Sequence, residues 1–179
     1  MTEESQYPLV TFALVAYNQE QYVREAVDAA FAQDYPNLEI IISDDCSTDG
    51  TFAAIEEKAR DYVGPHRVIV RKTAENRGSL LHVGEVARVS QGKLLVLAAG
   101  DDVSKPCRVR VLQNAWVESG AWGLCSRFDR LSEDGVVLTE SVRSPVVDQH
   151  GFERYFFTAD GPVHVVHGCT SAYDARVFD

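Results

Sequence analysis

The chain has 179 residues, which is enough for one domain and too few for two ordinary ones. Hydrophobic residues make up 45% of it and charged residues 25%, a balance that is typical of a folded protein and excludes a disordered one. With 27 acidic and 17 basic side chains the formal net charge is −10, which argues against nucleic acid or an anionic membrane as the main partner.

Four short apolar runs predict the strands of a parallel sheet. They start at residues 9, 38, 67 and 94, so that successive starts are separated by 29, 29 and 27 residues. This separation is the length of a strand–helix–strand unit. The runs are continuous and not alternating, which is typical of parallel strands that are covered on both faces.

The segments between the runs predict helices. From Val23 to Phe31 the apolar residues recur at helical spacing, and Pro36 prevents further extension. Three more helices are predicted after the cap-rich segment 47–50, over about 79–90, and from Pro106.

After Gly120 the pattern changes. It predicts a hairpin over 122–139, a short helix over 148–158 and another strand over 163–173. The whole pattern therefore predicts an α/β fold with a mainly parallel, Rossmann-like sheet flanked by helices and a mixed C-terminal part.

Signatures of export and of structural zinc are missing from the sequence. The first residues are acidic and polar, unlike a signal peptide. The apolar runs stop at about eight residues, far below the ~20 that span a bilayer. The cysteines lie far apart without Cys-x-x-Cys spacing, so we interpret them as reduced thiols and expect a cytoplasmic protein. They are Cys46, Cys107, Cys125 and Cys169.

Polar residues follow three of the predicted strands, at the edge where open parallel sheets bind ligands. Two of the groups are acidic pairs, which would repel each other there unless a divalent cation, or hydrogen bonds from a sugar or base, relieved the repulsion. Carboxylate ligands favour Mg²⁺ or Mn²⁺, and such an ion can hold a diphosphate. The groups are Tyr17 and Asn18 after the first strand, Asp44 and Asp45 after the second, and Asp101 and Asp102 after the fourth.

A purely structural role is the alternative for such acidic pairs, since an Asp after a strand often caps the next helix, as we expect of Asp49. The chain has neither Gly-x-Gly-x-x-Gly nor Gly-x-x-x-x-Gly-Lys-Ser/Thr. The absence of these phosphate loops excludes dinucleotide oxidoreductases and P-loop proteins. Metal and side chains would therefore have to hold any bound nucleotide.

Six segments follow one another along the chain: Ala16-Tyr17-Asn18, Tyr22-Val-x-Glu-Ala26, Gln33-x-Tyr-Pro36, the segment 38–51 with its Asp-Asp-x-Ser-Thr-Asp-Gly-Thr sequence, Asn76-Arg77-Gly78 and Asp101-Asp102-x-x-x-Pro106. Taken in this order, they resemble the family 2 inverting glycosyltransferases. The resemblance covers about residues 8–178 and implies the GT-A, or nucleotide-diphospho-sugar transferase, fold.

The resemblance also implies roles for individual residues. The Tyr17 ring would lie near the nucleobase, and Asp45, with Asp44 as a second candidate, would accept hydrogen bonds from that base. Asp101 and Asp102 match the acidic motif that binds the diphosphate through Mg²⁺ or Mn²⁺, and which of the two touches the ion stays open. The residues expected to contact the nucleotide sugar are Val15, Ala16, Tyr17, Asn18, Asp44, Asp45, Arg77 and Asp101.

The sequence departs from the family pattern in three places. Ala99 replaces the first carboxylate of the acidic motif, and Val83-Gly84 replaces an Arg-Asn pair, which leaves the identity of the base open. The catalytic base is expected beyond Asp179. We therefore interpret residues 8–179 as a donor-binding domain that is incomplete at its C-terminus and follows a flexible tail, residues 1–7.

Other ionisable residues near the C-terminus are not assigned to catalysis. Asp174 and Asp179 are interpreted as surface charges, and His164 and His167 as structural histidines.

The leading hypothesis is a metal-dependent glycosyltransferase that transfers a sugar, with inversion, to an acceptor hydroxyl on a saccharide or lipid-linked acceptor, in surface polysaccharide or glycoconjugate synthesis. The alternative is a nucleotide-sugar-binding module that lacks the catalytic base. A nucleotidyltransferase is disfavoured, because Val15-Ala-Tyr-Asn-Gln19 stands where its glycine-rich phosphate loop would be. A homodimer, and attachment to the inner face of the membrane through segments outside this chain, stay open.

Overall fold

The computed structural model describes residues 7–126, 128–132, 136–142 and 170–178. These residues form a six-stranded sheet, flanking helices and a separate two-stranded ribbon. In chain order the elements are β1 (Val10–Ala16), α1 (Val23–Phe31), β2 (Leu38–Asp44), α2 (Thr51–Arg60), β3 (Arg67–Lys72), α3 (Ser79–Val89), β4 (Leu94–Ala99), α4 (Arg108–Ser119), β5 (Gly123–Cys125), β6 (Phe128–Leu131), β7 (Val137–Val142), β8 (Ser171–Asp174) and a 3-10 turn (Ala175–Val177).

The strand order in the main sheet is β3-β2-β1-β4-β8-β5. Strands β1 to β4 are parallel, whereas β8 runs antiparallel to both β4 and β5. The chain moves outward from β1 to β3 and then returns to the other side of β1 with β4. This reversal creates a topological switch point between β1 and β4, where ligands bind in open α/β sheets. The predicted fold class is confirmed.

Both faces of β1, β2 and β4 are covered, which explains their largely apolar sequences, whereas the edge strand β3 is only partly buried. Every residue of β2 is buried. Alternate residues such as Phe12 and Ile40 pack on one face with the buried sides of α1, α2 and α4. Their neighbours, Ala13 and Ile41, pack on the other face with Val86 of α3.

A buried carboxylate lies near the amino-terminal ends of β1 and β2, at the opposite end of these strands from the acidic pairs. Glu39 is 1% exposed, and its Oε1 accepts hydrogen bonds from Thr11 Oγ1 (2.7 Å) and Gln91 N (2.6 Å). Its Oε2 lies 3.2 Å from the Arg67 guanidinium. Thr11 Oγ1 in turn accepts from Gly92 N at 2.9 Å. The connection between α3 and β4 is thereby tied to the start of β1.

The C-terminal part corrects two predictions. The hairpin over 122–139 is only partly right: β6 and β7 pair with each other, but 123–125 form β5, which pairs with β8 in the main sheet. In this position the Leu124 side chain is buried in the main core. The strand predicted over 163–173 is found as β8, Ser171–Asp174, and 163–169 lie outside the described residues, as does the helix predicted over 148–158.

Asp174 is buried, at 2% exposure, so its assignment as a surface charge was wrong. Its carboxylate accepts hydrogen bonds from Trp116 Nε1 at 2.9 Å and from the Arg176 guanidinium at 2.8 and 2.7 Å. The Arg176 side chain pairs with it and lowers the pKa of the Asp174 carboxyl. This contact joins β8 to α4, which no sequence pattern indicated.

Only some of the residues at the chain ends, and three of the four cysteines, lie within the described ranges. Residues 1–6, Asp179, His164, His167 and Cys169 lie outside the described residues. Tyr7 packs edge-on against Tyr35, with ring centroids 6.0 Å apart, and its carbonyl accepts from the Asn37 amide. The boundary at residue 8 stays a prediction. Cys46, Cys107 and Cys125 are free thiols. Across the described ranges, no helix is both long enough and apolar enough to cross a membrane.

The close approach at Gly92 gives a test of the packing at the amino end of β1. A Cβ at Gly92 would lie 2.3 Å from Thr11 N, whereas a Cβ at Gly84 in α3 would meet no atom within 4 Å. We expect Gly92→Ala to lower the free energy of unfolding by about 2 kcal/mol through overpacking. The control, Gly84→Ala, should raise it by roughly 0.5–1 kcal/mol through helix propensity. Urea denaturation measures both, and equal effects would contradict the packing described here.

Candidate functional site

The register of the sheet brings the three predicted loops to one edge. Ala16 of β1 pairs with Asp44 of β2, and Val15 pairs with Ala99 of β4. The hydrogen bonds continue one step further, because Asp45 N donates to Ala16 O (2.9 Å) and Gly100 N donates to Val15 O (3.0 Å). The loops that follow β1, β2 and β4 therefore start side by side.

The loop after β1 exposes an aromatic ring, while hydrogen bonds of the next residue fix its backbone. Asn18 has a positive φ of 52°, a conformation that Asn tolerates better than most residues. Its N–H donates to Ser47 Oγ, and its Oδ1 accepts from Thr48 N, both at 2.9 Å. Asn18 thus joins the two loops, while the adjacent Tyr17 side chain is 46% exposed.

The loop after β2 is held by its own polar residues. Asp49 accepts hydrogen bonds from Thr51 N (3.0 Å) and from Glu20 N (3.2 Å). The N-cap of α2 is Gly50 and not Asp49, so the expected cap is displaced by one residue, although Asp49 still pairs with the first N–H of the helix. Thr51 Oγ1 also accepts from Gln19 N at 2.7 Å. Much of the distinctive segment 44–51 therefore serves to hold the two loops together.

Asp45 organises a third segment. Its Oδ1 accepts from Arg77 N (2.9 Å) and Thr73 Oγ1 (3.1 Å), and its Oδ2 accepts from Gly78 N (2.9 Å). The carboxylate is buried, and these donors stabilise its charge in place of water. Asp45 therefore fixes the connection between β3 and α3 against the end of β2.

Asp44 is fully buried, and only one of its two carboxylate oxygens has a hydrogen-bond partner among the described residues. Its Oδ1 accepts from Ser47 N at 2.9 Å and lies 3.6 Å from Lys72 Nζ. Its Oδ2 is buried and has no hydrogen-bond partner among the described residues. The repulsion expected within this acidic pair is thus relieved largely by backbone N–H groups and Lys72.

The Arg77 side chain is engaged with carboxylates. Its guanidinium pairs with Glu75, and its Nε donates to Glu85 Oε1 at 2.9 Å. Hydrogen bonding to the Glu75 carboxylate has the larger effect and that to Glu85 the smaller, and both raise the pKa of the Arg77 guanidinium. The backbone of Arg77, and not its side chain, is what the structure joins to Asp45.

Ser43 and His82 form a buried polar pair that the sequence analysis missed. Ser43 Oγ lies 2.6 Å from His82 Nε2, beneath the loop that contains Asp45. Burial lowers the pKa of His82, although the nearby Asp45 carboxylate opposes this effect. The available signal was the position of His82 four residues before Val86, on the buried face of α3.

The acidic turn after β4 differs from the other loops because its carboxylates are exposed and have no hydrogen-bond partner among the described residues. These carboxylates belong to Asp101 and Asp102. The turn lies directly on the β1 loop, since a Cβ at Gly100 would be 2.6 Å from Gln19 Oε1. In the ranges that the structure describes, no group of three or more His, Cys, Asp or Glu side chains could hold a metal ion.

Two exposed carboxylates nevertheless suit one class of ion. Mg²⁺ and similar hard cations usually keep several waters and bind through one or two carboxylates together with substrate phosphates. Asp101 and Asp102 provide this donor set, and Ala99 provides no third carboxylate. The turn therefore suits a cation whose remaining coordination positions are filled by water and by the phosphates of a bound substrate.

Comparison with known proteins gives a consistent family assignment. Residues 11–179 match the model of the family described as "Glycosyl transferase family 2". The putative teichuronic acid biosynthesis glycosyltransferase TuaG of Bacillus subtilis is 25% identical over 138 residues, which are 77% of this chain and 54% of TuaG. The succinoglycan biosynthesis protein ExoO of Rhizobium meliloti is 29% identical over 128 residues, which are 72% of this chain and 35% of ExoO. The chain therefore spans about half or less of these relatives.

Solved structures show the same fold. The mannosyltransferase PcManGT of Pyrobaculum calidifontis, in complex with GDP-Man and Mn²⁺, superimposes with a TM-score of 0.68 at 19% identity, over 94% of this chain and 45% of that protein. TarS of S. aureus, residues 1–349 in complex with UDP-GlcNAc, gives a TM-score of 0.67 at 19% identity, over 94% of this chain and 46% of that one. The predicted GT-A fold is confirmed.

The buried pair of Ser43 and His82 predicts a pH-dependent stability. Because the folded state lowers the pKa of His82, the unfolded chain binds the proton more readily. The stabilisation is fully present above the unfolded pKa of about 6.5 and is lost as the pH falls through the folded value. Urea denaturation between pH 8 and pH 5 should show this loss, and His82→Gln should reduce it.

The matched control is Gln113→Ala, at a buried residue of α4 that carries no ionisable group. It should keep the pH dependence of the parent chain. An unchanged slope in His82→Gln would show that other groups cause the loss of stability at low pH.

Proposed function

This chain belongs to glycosyl transferase family 2, and from that premise we propose that it binds a nucleotide-diphosphate sugar at the carboxyl edge of its parallel sheet. The observation that carries the proposal is that two exposed groups lie in loops that follow adjacent strands. Tyr17 follows β1, and the acidic turn with Asp101 and Asp102 follows β4. The loop beside them is fixed by buried hydrogen bonds. A planar base and a metal-bound diphosphate require groups of these two kinds.

We assign the nucleobase to a site formed by the Tyr17 ring together with Asp44 and Asp45. A carboxylate offers about four acceptor sites, of which Asp45 already uses three. Asp44 Oδ2 uses none. One of these carboxylates would accept a hydrogen bond from the base, with Val15, Ala16 and Asn18 forming the adjacent backbone.

We assign Mg²⁺ or Mn²⁺ to Asp101 and Asp102. When bound, such an ion would neutralise the charge that develops on the leaving diphosphate. The exposure of both carboxylates and their lack of described partners support this role. The Mn²⁺ in the complex of the structurally similar mannosyltransferase supports it as well.

The reaction proposed for the whole protein is transfer of the sugar, with inversion, to a hydroxyl of a saccharide or lipid-linked acceptor, at the cytoplasmic face of the membrane. The names of TuaG and ExoO, which refer to teichuronic acid and succinoglycan biosynthesis, support an acceptor of the surface-polysaccharide type. The carboxylate base would lie outside this chain.

A nucleotide-sugar-binding module without catalysis is the second candidate. One observation favours it: Asp174, near the C-terminal end of the described residues, is committed to Trp116 and Arg176 and is therefore not free to deprotonate an acceptor. Transfer activity measured on a protein that extends beyond Asp179 separates the two candidates.

Donor binding is tested by calorimetric titration with UDP, GDP, CDP and ADP, with and without Mn²⁺. We expect one nucleotide to bind in a metal-dependent manner, and Asp101→Asn or Asp102→Asn to abolish the metal dependence while the domain stays folded. Asp61→Asn, at an exposed aspartate that directly follows α2, is the control and should bind like the parent. Unchanged affinity in both turn variants would refute the metal assignment.

The assignment of the base to Tyr17 has its own test. Base–aromatic stacking contributes roughly 1–3 kcal/mol, so Tyr17→Ala should weaken nucleotide binding about fivefold or more. Tyr22→Ala removes a ring of similar exposure, 55% against 46%, from the start of α1 and is the control. Equal losses in the two variants would argue against stacking on Tyr17.

A further inference from the structure

The exposed acidic turn between β4 and α4 is held in place by residues outside it. Within the turn, Asp102 N donates to Ala99 O at the long distance of 3.2 Å. Asp101, Asp102 and Val103 are all exposed. An exposed turn that relied on such a contact alone would sample many conformations, and a bound ion would have to order it at an entropic cost.

Arg108, the first residue of α4, spans the two ends of this turn. Its Nη2 donates to Leu97 O of β4 at 2.7 Å, and its Nη1 donates to the buried Ser104 Oγ at 3.0 Å. Leu97 precedes the acidic pair and Ser104 follows it. The rigid fork of a guanidinium can satisfy two such acceptors at once.

The position of Arg108 is itself fixed from the segment that follows α1. Gln33 in that segment is 3% exposed; its Nε2 donates to Lys105 O (3.0 Å) and its Oε1 accepts from Val109 N (3.1 Å). Residues on both sides of Arg108 are therefore anchored to the segment after α1. Asp34 N, next in the chain, adds a bond to Pro106 O at 3.0 Å.

We propose that Arg108 is a positioning residue for the acidic turn. By joining Leu97 O to Ser104 Oγ, it holds the Asp101 and Asp102 carboxylates in one arrangement before a divalent cation arrives. The inference rests on the proposed donor site, since it concerns how the residues assigned to the metal are presented. Preorganisation of this kind strengthens binding by reducing the ordering cost.

The first readout is the gain in nucleotide affinity that Mn²⁺ produces, measured by calorimetry with the nucleotide that the parent binds. In Arg108→Gln we expect this gain to fall at least tenfold, while the affinity without metal stays within about twofold. Arg108→Lys can reach one acceptor at a time and should restore part of the gain. A merely structural loss would weaken both affinities together, and that outcome would overturn the proposal.

The matched control is Arg110→Gln, two residues along α4. The Arg110 guanidinium pairs with Asp34, 2.9 Å away, and its described contacts do not include the turn. This variant should keep the full gain from Mn²⁺. If Arg110→Gln reduced the gain as much as Arg108→Gln, a general effect of removing charge from α4 would replace the proposed role.

The second readout needs no ligand, so it separates failure of this inference from failure of the proposed function. Amide hydrogen exchange at Asp102 should become at least tenfold faster in Arg108→Gln, and should not change in Arg110→Gln. If no nucleotide binds the parent chain, the proposed function fails while exchange still decides the role of Arg108. Unchanged exchange in Arg108→Gln overturns it.

Ser104→Ala covers the case in which Arg108→Gln does not fold. It deletes the hydroxyl that accepts from Arg108 Nη1 and leaves the Leu97 carbonyl contact in place. We expect the same two readouts to move in the same direction by a smaller factor. No change in either readout would overturn the proposal.

Discussion

Strand β1 lies between β2 and β4, and the register of these two parallel pairings governs the positions of the candidate ligand-binding groups that follow β1, β2 and β4. Because Ala16 aligns with Asp44 and Val15 with Ala99, the three following loops leave the sheet within one row of hydrogen bonds. Any slip by one residue would turn the side chains to the opposite face. The close packing of particular side chains on each face opposes such a slip. Packing of the core therefore also sets the alignment of these loops.

The residues that carry the family resemblance divide into two physical classes. Asn18, Asp45 and Gln33 are occupied by hydrogen bonds that shape and join the loops. Tyr17 and the acidic turn are exposed and remain available to a ligand. A motif match thus reports the architecture of the loops as much as the chemistry of binding.

Buried charge is a cost of this architecture, and three buried carboxylates each have several donors. Glu39 at the amino-terminal ends of the strands accepts from Thr11 and a backbone N–H, while Asp174 on β8 is paired with Arg176. Asp45 uses backbone donors of the β3–α3 connection. Removing a donor from any of these carboxylates would leave part of a buried charge without a hydrogen bond. The acidic composition is therefore partly structural.

The amino-acid sequence by itself determined the parallel strands, the four helices between and after them and the edge at which the candidate site residues meet, because apolar periodicity and the polar residues after each strand depend on local order along the chain. Only the tertiary structure decided that 123–125 pair with β8, that Asp174 is buried, and that Ser43 meets His82. These contacts join residues that are far apart in sequence. Their formation depends on which neighbour offers an unpaired edge, a donor or a matching surface after the chain has folded, and no local pattern encodes that.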